Sequence, residues 1–361
     1  MATTRTPVQL TRLRDRARRF VELATTPLVP GDFWEVIDPL RGGANPRGRI
    51  VAVRPETRDA ATIAIRPGRG WKGHTAGQYV RLGVDVDGVR LWRSYSLTSP
   101  PRPDGVITIT VKAHPGGVVS GHLVRQVRPG TVVHLDQAAG DFTLPLVRPA
   151  KALFVTAGSG ITPVMGMLRD AAGSLADVVL VHSAPRPDAV IFGRELRGLA
   201  ARGGLRLVER HTEVDGRLTP EALTELVPDL ASRHTWACGP NELLDALQDT
   251  YDAAGHGDLL HTERFRPAVI AVGEGGTVSF ADSGVTAESD GATPLLDTGE
   301  SNGVLMPSGC RMGICFGCVI PLREGSVRDL RNGAVTTAAA GDDIRVQTCV
   351  SAAAGPCRLG I

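Results

Sequence analysis

At 361 residues the chain is too long for one hydrophobic core and is expected to divide into two or three domains. Its 42% hydrophobic and 22% charged residues are those of a globular protein, and a formal net charge of +2 argues for neither nucleic acid nor a polyanionic partner. No run of eighteen apolar residues occurs, so no membrane-spanning helix is expected.

Residues 1–45 stand apart as an N-terminal helical extension. Leu10, Leu13, Ala17 and Phe20 recur at helical spacing, with Arg12, Arg14, Arg16, Arg18 and Arg19 interleaved. Such a helix packs its apolar side on the body of the protein; the sharper alternative is docking on an acidic partner or, peripherally, on an anionic membrane surface. The arginines come without the apolar stretch of a secretory signal, so a cytoplasmic chain with reduced cysteines is expected.

Residues 46–147 read as short strands rich in Val and Ile, separated by Gly, Pro and Asp turns: RIVAVRP, ATIAIRP, QYVRLGV, VRLWRSYSL and GVITITVKA. One helical interruption, VVSGHLVRQV, follows Gly116-Gly117, with a helix expected to begin near Ser120. The pattern predicts an antiparallel β-barrel with one capping helix. Over 148–267 the rhythm changes to strand–helix alternation, from KALFVTAG into TPVMGMLRDAA through to HTWACG into NELLDALQDTYDAAG. That is the signature of an α/β parallel sheet covered on both faces. Residues 268–361 hold five of the six cysteines, with ten acidic and six basic residues, a net −4 on a formally basic chain. A third, separately folded module is expected there.

The stretch SGCRMGICFGCVI places Cys310, Cys315 and Cys318 in a C-x4-C-x2-C pattern, and Cys349 follows after thirty intervening residues. Structural zinc sites show two close pairs of ligands, and here the second pair is missing. Four thiolates, three from one loop and one from a distant segment, suit a [2Fe-2S] cluster. Gly309, Gly313 and Gly317 let the loop curl and turn N–H groups toward the sulfur atoms. Spacing assigns no ligand role to Cys238 or Cys357.

In RSYSLTSP, Arg93, Tyr95 and Ser96 supply a cation for a flavin pyrophosphate, a ring against the isoalloxazine and a donor near N5, with Ser99 closing the motif. In KAHPGGVVSGHL, Lys112, Gly117, Val119 and Ser120 bring a glycine pair and a helix start to the same phosphate. FVTAGSGITPVMGMLR runs from an apolar strand through Gly158 and Gly160 into a helix, with Thr162 and then Pro163 where a Rossmann fingerprint would have glycine.

These stretches, with the Cys238-Gly239-Pro240 triplet, resemble the R-x-Y-S, G-x-G-x-x-P and C-G-P signatures of the ferredoxin–NADP reductase superfamily. The last 90 or so residues resemble a plant-type [2Fe-2S] ferredoxin domain of the β-grasp, α+β kind. The resemblance implies an FAD-binding barrel, an NAD(P)-binding domain and a ferredoxin domain in one chain, as in single-chain reductases of oxygenases and desaturases. It implies that Thr162 lies beside the flavin, that Cys238 sits at the sheet edge facing the nicotinamide, and that Glu263 and Phe265 of TERFRP cover the flavin before nucleotide binds. The form of the second motif favours FAD over FMN. Ser183, Arg186 and Arg194, with Asp188 the one nearby acid, favour NADPH over NADH.

The expected activity is NAD(P)H oxidation with electrons leaving singly through the cluster to an acceptor protein, such as an oxygenase or an acyl desaturase. A plant-type cluster, at roughly −400 mV, is a poor acceptor, so hydrogen bonds in the loop are expected to raise its potential. The alternative is an electron-transfer or redox-sensing subunit of a larger complex with little nucleotide turnover of its own.

Overall fold

The computed structural model describes residues 40, 46–171, 173–265, 271–313 and 315–361. The expected N-terminal helix and the boundary at 267/268 lie outside them.

Six strands make the first sheet: β1 (Arg47–Thr57), β2 (Ala60–Pro67), β3 (Tyr79–Val86), β4 (Val89–Ser96), β5 (Ile107–Lys112) and β6 (Val132–Leu135), in the order β4-β3-β6-β1-β2-β5. An antiparallel bridge between Leu97 and Ile109 joins the two ends and closes the sheet into a barrel. The β3–β4 register is set by a two-residue turn, with Asp87 at φ 50° and Gly88 at φ 80°, the left-handed pair that suits the strand twist. Inside lie Ile50, Ile63, Ile65, Leu82, Ile107 and Ile109. Helix α1 (Val118–Arg125) caps one end through Val119 and Leu123; it begins two residues before the expected Ser120, with Gly117 as its N-cap.

The second sheet is parallel: β7 (Lys151–Ala157), β8 (Asp177–Ala184), β9 (Arg206–His211), β10 (His234–Cys238) and β11 (Leu260–Glu263), ordered β11-β10-β7-β8-β9. Its inner strands β7, β8 and β10 are buried along most of their length because both faces are covered, while the edge strands β9 and β11 are more polar. On β7, Ala152 and Phe154 enter one core, while Leu153 and Val155 enter the other. The connecting helices are α2 (Ile161–Asp170), α3 (Gly193–Ala201), the short α4 (Thr212–Asp215), α5 (Pro220–Leu226) and α6 (Asn241–Ala253).

The third sheet is mixed. Strands β12 (Gly276–Phe280), β13 (Val285–Ser289), β14 (Val319–Asp329), β15 (Val335–Ala338) and β17 (Ser351–Leu359) run β13-β12-β17-β14-β15, and β16 (Ile344–Gln347) pairs with β14. Helix α7 (Leu295–Ser301) buries Leu295 and Leu296 in this core and leads into the cysteine loop, while β16 leads directly to Cys349.

Barrel and parallel sheet are joined at α2. A Cβ on Gly166 would overlap the carbonyl of Leu97, one residue past the R-x-Y-S strand. Three residues on, Arg169 donates from Nη1 to the Thr98 carbonyl at 2.5 Å and forms a two-pronged pair with Glu195 at 2.9 and 2.6 Å. Gly166→Ala is therefore expected to lower the melting temperature through overpacking worth about 1–3 kcal/mol. Gly198→Ala, whose new methyl meets only the flexible end of Arg202, is expected to be neutral or stabilising by up to ~1 kcal/mol. Calorimetric melting of the two variants side by side checks the pair.

Candidate functional site

One cleft of about 1520 Å³ runs along all three sheets. From the barrel it is lined by Arg93, Tyr95, Ser96, Lys112, Gly117, Val119 and Ser120; from the parallel sheet by Gly158, Gly160, Thr162, Ser183, Gly239, Pro240, Glu263 and Phe265. The third sheet contributes Asp297, Arg311 and two of the four cysteines, Cys310 and Cys349.

The barrel end suits a flavin. The Ser94 and Ser96 hydroxyls are buried without a partner in the protein, an arrangement that a bound polar group would satisfy. Burial holds the Tyr95 phenol above its ordinary value. Arg93 donates to the Trp92 carbonyl at 2.7 Å and is lowered by burial and then by the neighbouring Arg311 charge. Helix α1 starts without a side-chain cap, and its first residues line the cleft beside Gly116-Gly117, a helix start that suits a phosphate.

The nucleotide end is built the same way. Gly158 has φ 54°, and a Cβ on Gly160 would overlap the Cys238 carbonyl, so the loop is pressed against the end of β10. Helix α2 also lacks a side-chain cap, and Thr162 donates to the Ser159 carbonyl at 2.9 Å.

Several expected residues lie elsewhere. Cys238 is on β10, second from the sheet edge, with its side chain fully buried beside Phe154 and Trp236; only its carbonyl meets the glycine loop. Pro163 is buried within α2. The Ser99 hydroxyl accepts from the Thr108 N–H at 3.0 Å, inside the barrel wall. Arg186 is held by Asp188 at 3.1 Å and faces Glu213 at 3.8 Å, and neither it nor Arg194 lines the cleft. The cation on that wall is Arg217, which the strand-end rule passes over because it stands beyond β9 in the loop before α5. Tyr79 and Arg311 also line the cleft without a motif to announce them.

The four loop cysteines are reduced. Cys310, Cys318 and Cys349 are buried, and Cys315 is partly exposed. They gather in two pairs. Cys318 and Cys349 stand 3.2 Å apart sulfur to sulfur, and the Cys310 N–H donates to Cys315 Sγ at 3.0 Å. Further N–H donors are Met312 to Cys310 Sγ at 3.3 Å and Gly317 to Cys315 Sγ at 3.4 Å, the donors expected from the glycine pattern. The hydrogen bond between Cys318 and Cys349 lowers the Cys318 thiol and raises the Cys349 thiol, so the pair gives up its two protons in separate steps. Among the described residues no three His, Cys, Asp or Glu side chains converge as a site for a single ion. Four cysteine side chains, with backbone N–H groups turned toward the sulfurs of Cys310 and Cys315, are a donor set that suits an iron–sulfur cluster.

Three family models match the chain in succession: an oxidoreductase FAD-binding domain over residues 68–144, an oxidoreductase NAD-binding domain over 154–249 and a 2Fe-2S iron-sulfur cluster binding domain over 278–354. An NADPH oxidoreductase of Mycobacterium tuberculosis (strain ATCC 25618 / H37Rv) is 49% identical over 352 residues, 95% of this chain and 92% of that one. The chain belongs to the ferredoxin–NADP reductase superfamily. The ferredoxin reductase component of 3-ketosteroid-9-alpha-monooxygenase from Mycolicibacterium smegmatis is 31% identical over 307 residues, 77% of this chain and 86% of that one. A solved phthalate dioxygenase reductase matches in fold, with a TM-score of 0.57 at 22% identity, over 87% of this chain and 97% of that one. As a superfamily member with a C-terminal [2Fe-2S] domain, the chain is an NAD(P)H-dependent oxidoreductase that uses FAD, the iron–sulfur cluster and a pyridine nucleotide.

Glu263 ends β11 in this cleft with Oε2 buried and unpartnered, and burial pushes its carboxyl up to about 8 from 4.5. Between those two values the unfolded chain has released the proton and the folded chain keeps it. Stability is therefore lost as pH rises from about 4.5 to 8, by an amount on the order of a few kcal/mol. Glu263→Gln is expected to match the parent's melting temperature near pH 4.5 and to exceed it increasingly toward pH 8. A series of melts across that window checks the sign.

Proposed function

We propose that the chain carries electrons from NADPH, through FAD and the [2Fe-2S] cluster, singly to an acceptor protein of the oxygenase or desaturase kind. One shared cleft carries this reading: the glycine loop, the Arg93–Ser96 strand end and the candidate ligands Cys310 and Cys349 all line it. When bound, FAD accepts a hydride from the nicotinamide and releases its two electrons one at a time to the cluster.

The chain's own residues would hold these groups. Arg93, Lys112 and the uncapped start of α1, with Gly117, Val119 and Ser120, bind the flavin's phosphates. Tyr95 packs on the ring, and Ser96, whose hydroxyl has no protein partner, donates toward N5. Gly158, Gly160, Thr162, Gly239 and Pro240 position the nicotinamide nucleotide, with Cys238 and Pro163 shaping that wall from within the core. Glu263 and Phe265 cover the flavin, and Cys310, Cys315, Cys318 and Cys349 hold the irons. The family matches at 68–144, 154–249 and 278–354, each inside one module, support boundaries at 46–147, 148–267 and 268–361.

Preference for NADPH rests on Arg217. It is exposed on the cleft wall beside Thr212 and Thr219 and, among the described residues, has no carboxylate partner. A free guanidinium there suits a 2′-phosphate. The name of the mycobacterial relative, an NADPH oxidoreductase, supports that choice, and that of the monooxygenase component supports an oxygenase as acceptor.

Purified protein should reduce cytochrome c with NADPH. Cys315→Ser is expected to cut that rate at least about tenfold while leaving ferricyanide reduction, which a flavin performs directly, largely intact. A cofactor-loaded chain with no NADPH turnover would instead point to the electron-transfer subunit reading. Arg217→Ala is expected to raise KM for NADPH by about tenfold, the weight of one charge-assisted contact, and to leave KM for NADH unchanged. Capture of the acceptor on tagged protein separates an oxygenase from a desaturase.

A further inference from the structure

Strand β3 carries Tyr79 and Arg81 two residues apart, so both side chains leave the same face. That face looks at the cysteine loop. The Tyr79 phenol is raised by burial and then by the charges of Cys310 and Glu263. Arg81 is anchored entirely within the barrel: Nη1 pairs with Asp136 at 2.8 Å, and the guanidinium lies 5.2 Å from the Trp92 ring centre. The Asp136 N–H in turn donates to the Arg81 carbonyl at 3.0 Å, fixing the pair.

The free edge of Arg81 meets the third sheet's loop at Gly309. A Cβ there would stand 3.3 Å from Arg81 Nη2 and would overlap Cys315 Sγ. Guanidinium and thiol therefore flank the same methyl-sized space. Arg81 Nε is buried with no partner in the protein. Cys315, the one partly exposed ligand candidate, thus has a fixed cation at its side, supplied by a different module from the one that carries it.

We propose that Arg81 tunes the iron–sulfur cluster from the flavin barrel, raising its potential so that each electron passes more readily from flavin to cluster. The inference rests on the reading of Cys310, Cys315, Cys318 and Cys349 as cluster ligands. The cluster gains one negative charge when it accepts an electron, with no bond made or broken. A cation held at a ligand corner therefore stabilises the reduced form more than the oxidised one. Asp136 offsets part of that effect, and the balance of the two sets the size of the push. The loop's N–H bonds to sulfur act in the same direction, but they travel with the loop; Arg81 acts only where the loop meets the barrel.

The test is a redox titration of the holoprotein, followed by the electron paramagnetic resonance signal of the reduced cluster. Arg81→Gln is expected to shift electron sharing about tenfold toward the flavin, a cluster potential lower by ~59 mV for one electron. Arg81→Lys, which keeps the charge, should retain most of the parent potential. Asp136→Asn leaves the guanidinium uncompensated and should move the potential upward. Iron and FAD content are measured in each. Potentials unmoved in both neutralising variants, with cofactors intact, overturn the proposal. A downward shift in both does so too, since it would mean that the loop is merely unseated. Should Arg81→Gln fail to fold, the direction of the Asp136→Asn shift decides alone. A parent protein without any [2Fe-2S] signal would strike instead at the ligand reading.

Discussion

Where Gly166 meets the carbonyl of Leu97, there is no room for a single added carbon. Everything the chain does with electrons depends on that seam. Helix α2 begins at the glycine loop and ends at Asp170, one residue past Arg169, so one rigid rod of ten residues is bolted at both ends. At its start, Gly160 presses on the Cys238 carbonyl; near its end, Gly166 and Arg169 press on the residues that follow the flavin strand. Hydride transfer requires the reacting atoms of two cofactors to be held close and aligned. Backbone-to-backbone packing meets that need better than side chains could, because no rotamer intervenes.

The cysteine loop answers a different constraint. Four thiolates in a small volume repel one another, and the loop must offset that charge without filling the space the irons need. Backbone N–H groups of Cys310, Met312 and Gly317 point at sulfur atoms. Arg331 fastens the loop from outside, through the Gly313 carbonyl at 3.1 Å and the Asp329 carboxylate at 3.0 Å. Arg311, at φ 60° and so strained for a long side chain, is held there by Asp297 at 3.0 Å and by Glu300. Positive charge is thus placed around the loop in pairs with carboxylates, which keeps its net contribution adjustable.

Much of this was legible in the chain itself. The barrel follows from period-two alternation between Gly, Pro and Asp turns, the parallel sheet from apolar runs set between amphipathic helices, and the cysteine loop from spacing alone. What spacing does not reveal is which residue of a loop faces inward. Arg186 and Arg194 follow the second strand of the nucleotide fold, where a phosphate-binding cation is looked for, yet Arg186 pairs with Asp188 and neither residue lines the cleft. Arg217 fills that wall from another connection. Cys238 is placed as small apolar side chains usually are: the sheet interior takes the thiol and leaves the carbonyl against the glycine loop. Tyr79 and Arg81 read as ordinary barrel residues until the third sheet is laid against them, because a contact between modules leaves no period in either.

The groups left without partners mark the same cleft from the opposite direction. Buried polar atoms are nearly always paired, and each exception costs stability. Seven other described residues carry such an atom away from the cleft, but Ser94, Ser96, Glu263 and Arg311 each carry one and all four line it. They come from three different sheets, so no local packing fault accounts for them together. A cleft that takes up a polar ligand leaves such groups waiting: the two hydroxyls of Ser94 and Ser96, the Glu263 carboxyl and the Arg311 guanidinium beside Arg93. The chain accepts an unstable interior at these points because the ligands, once bound, complete it.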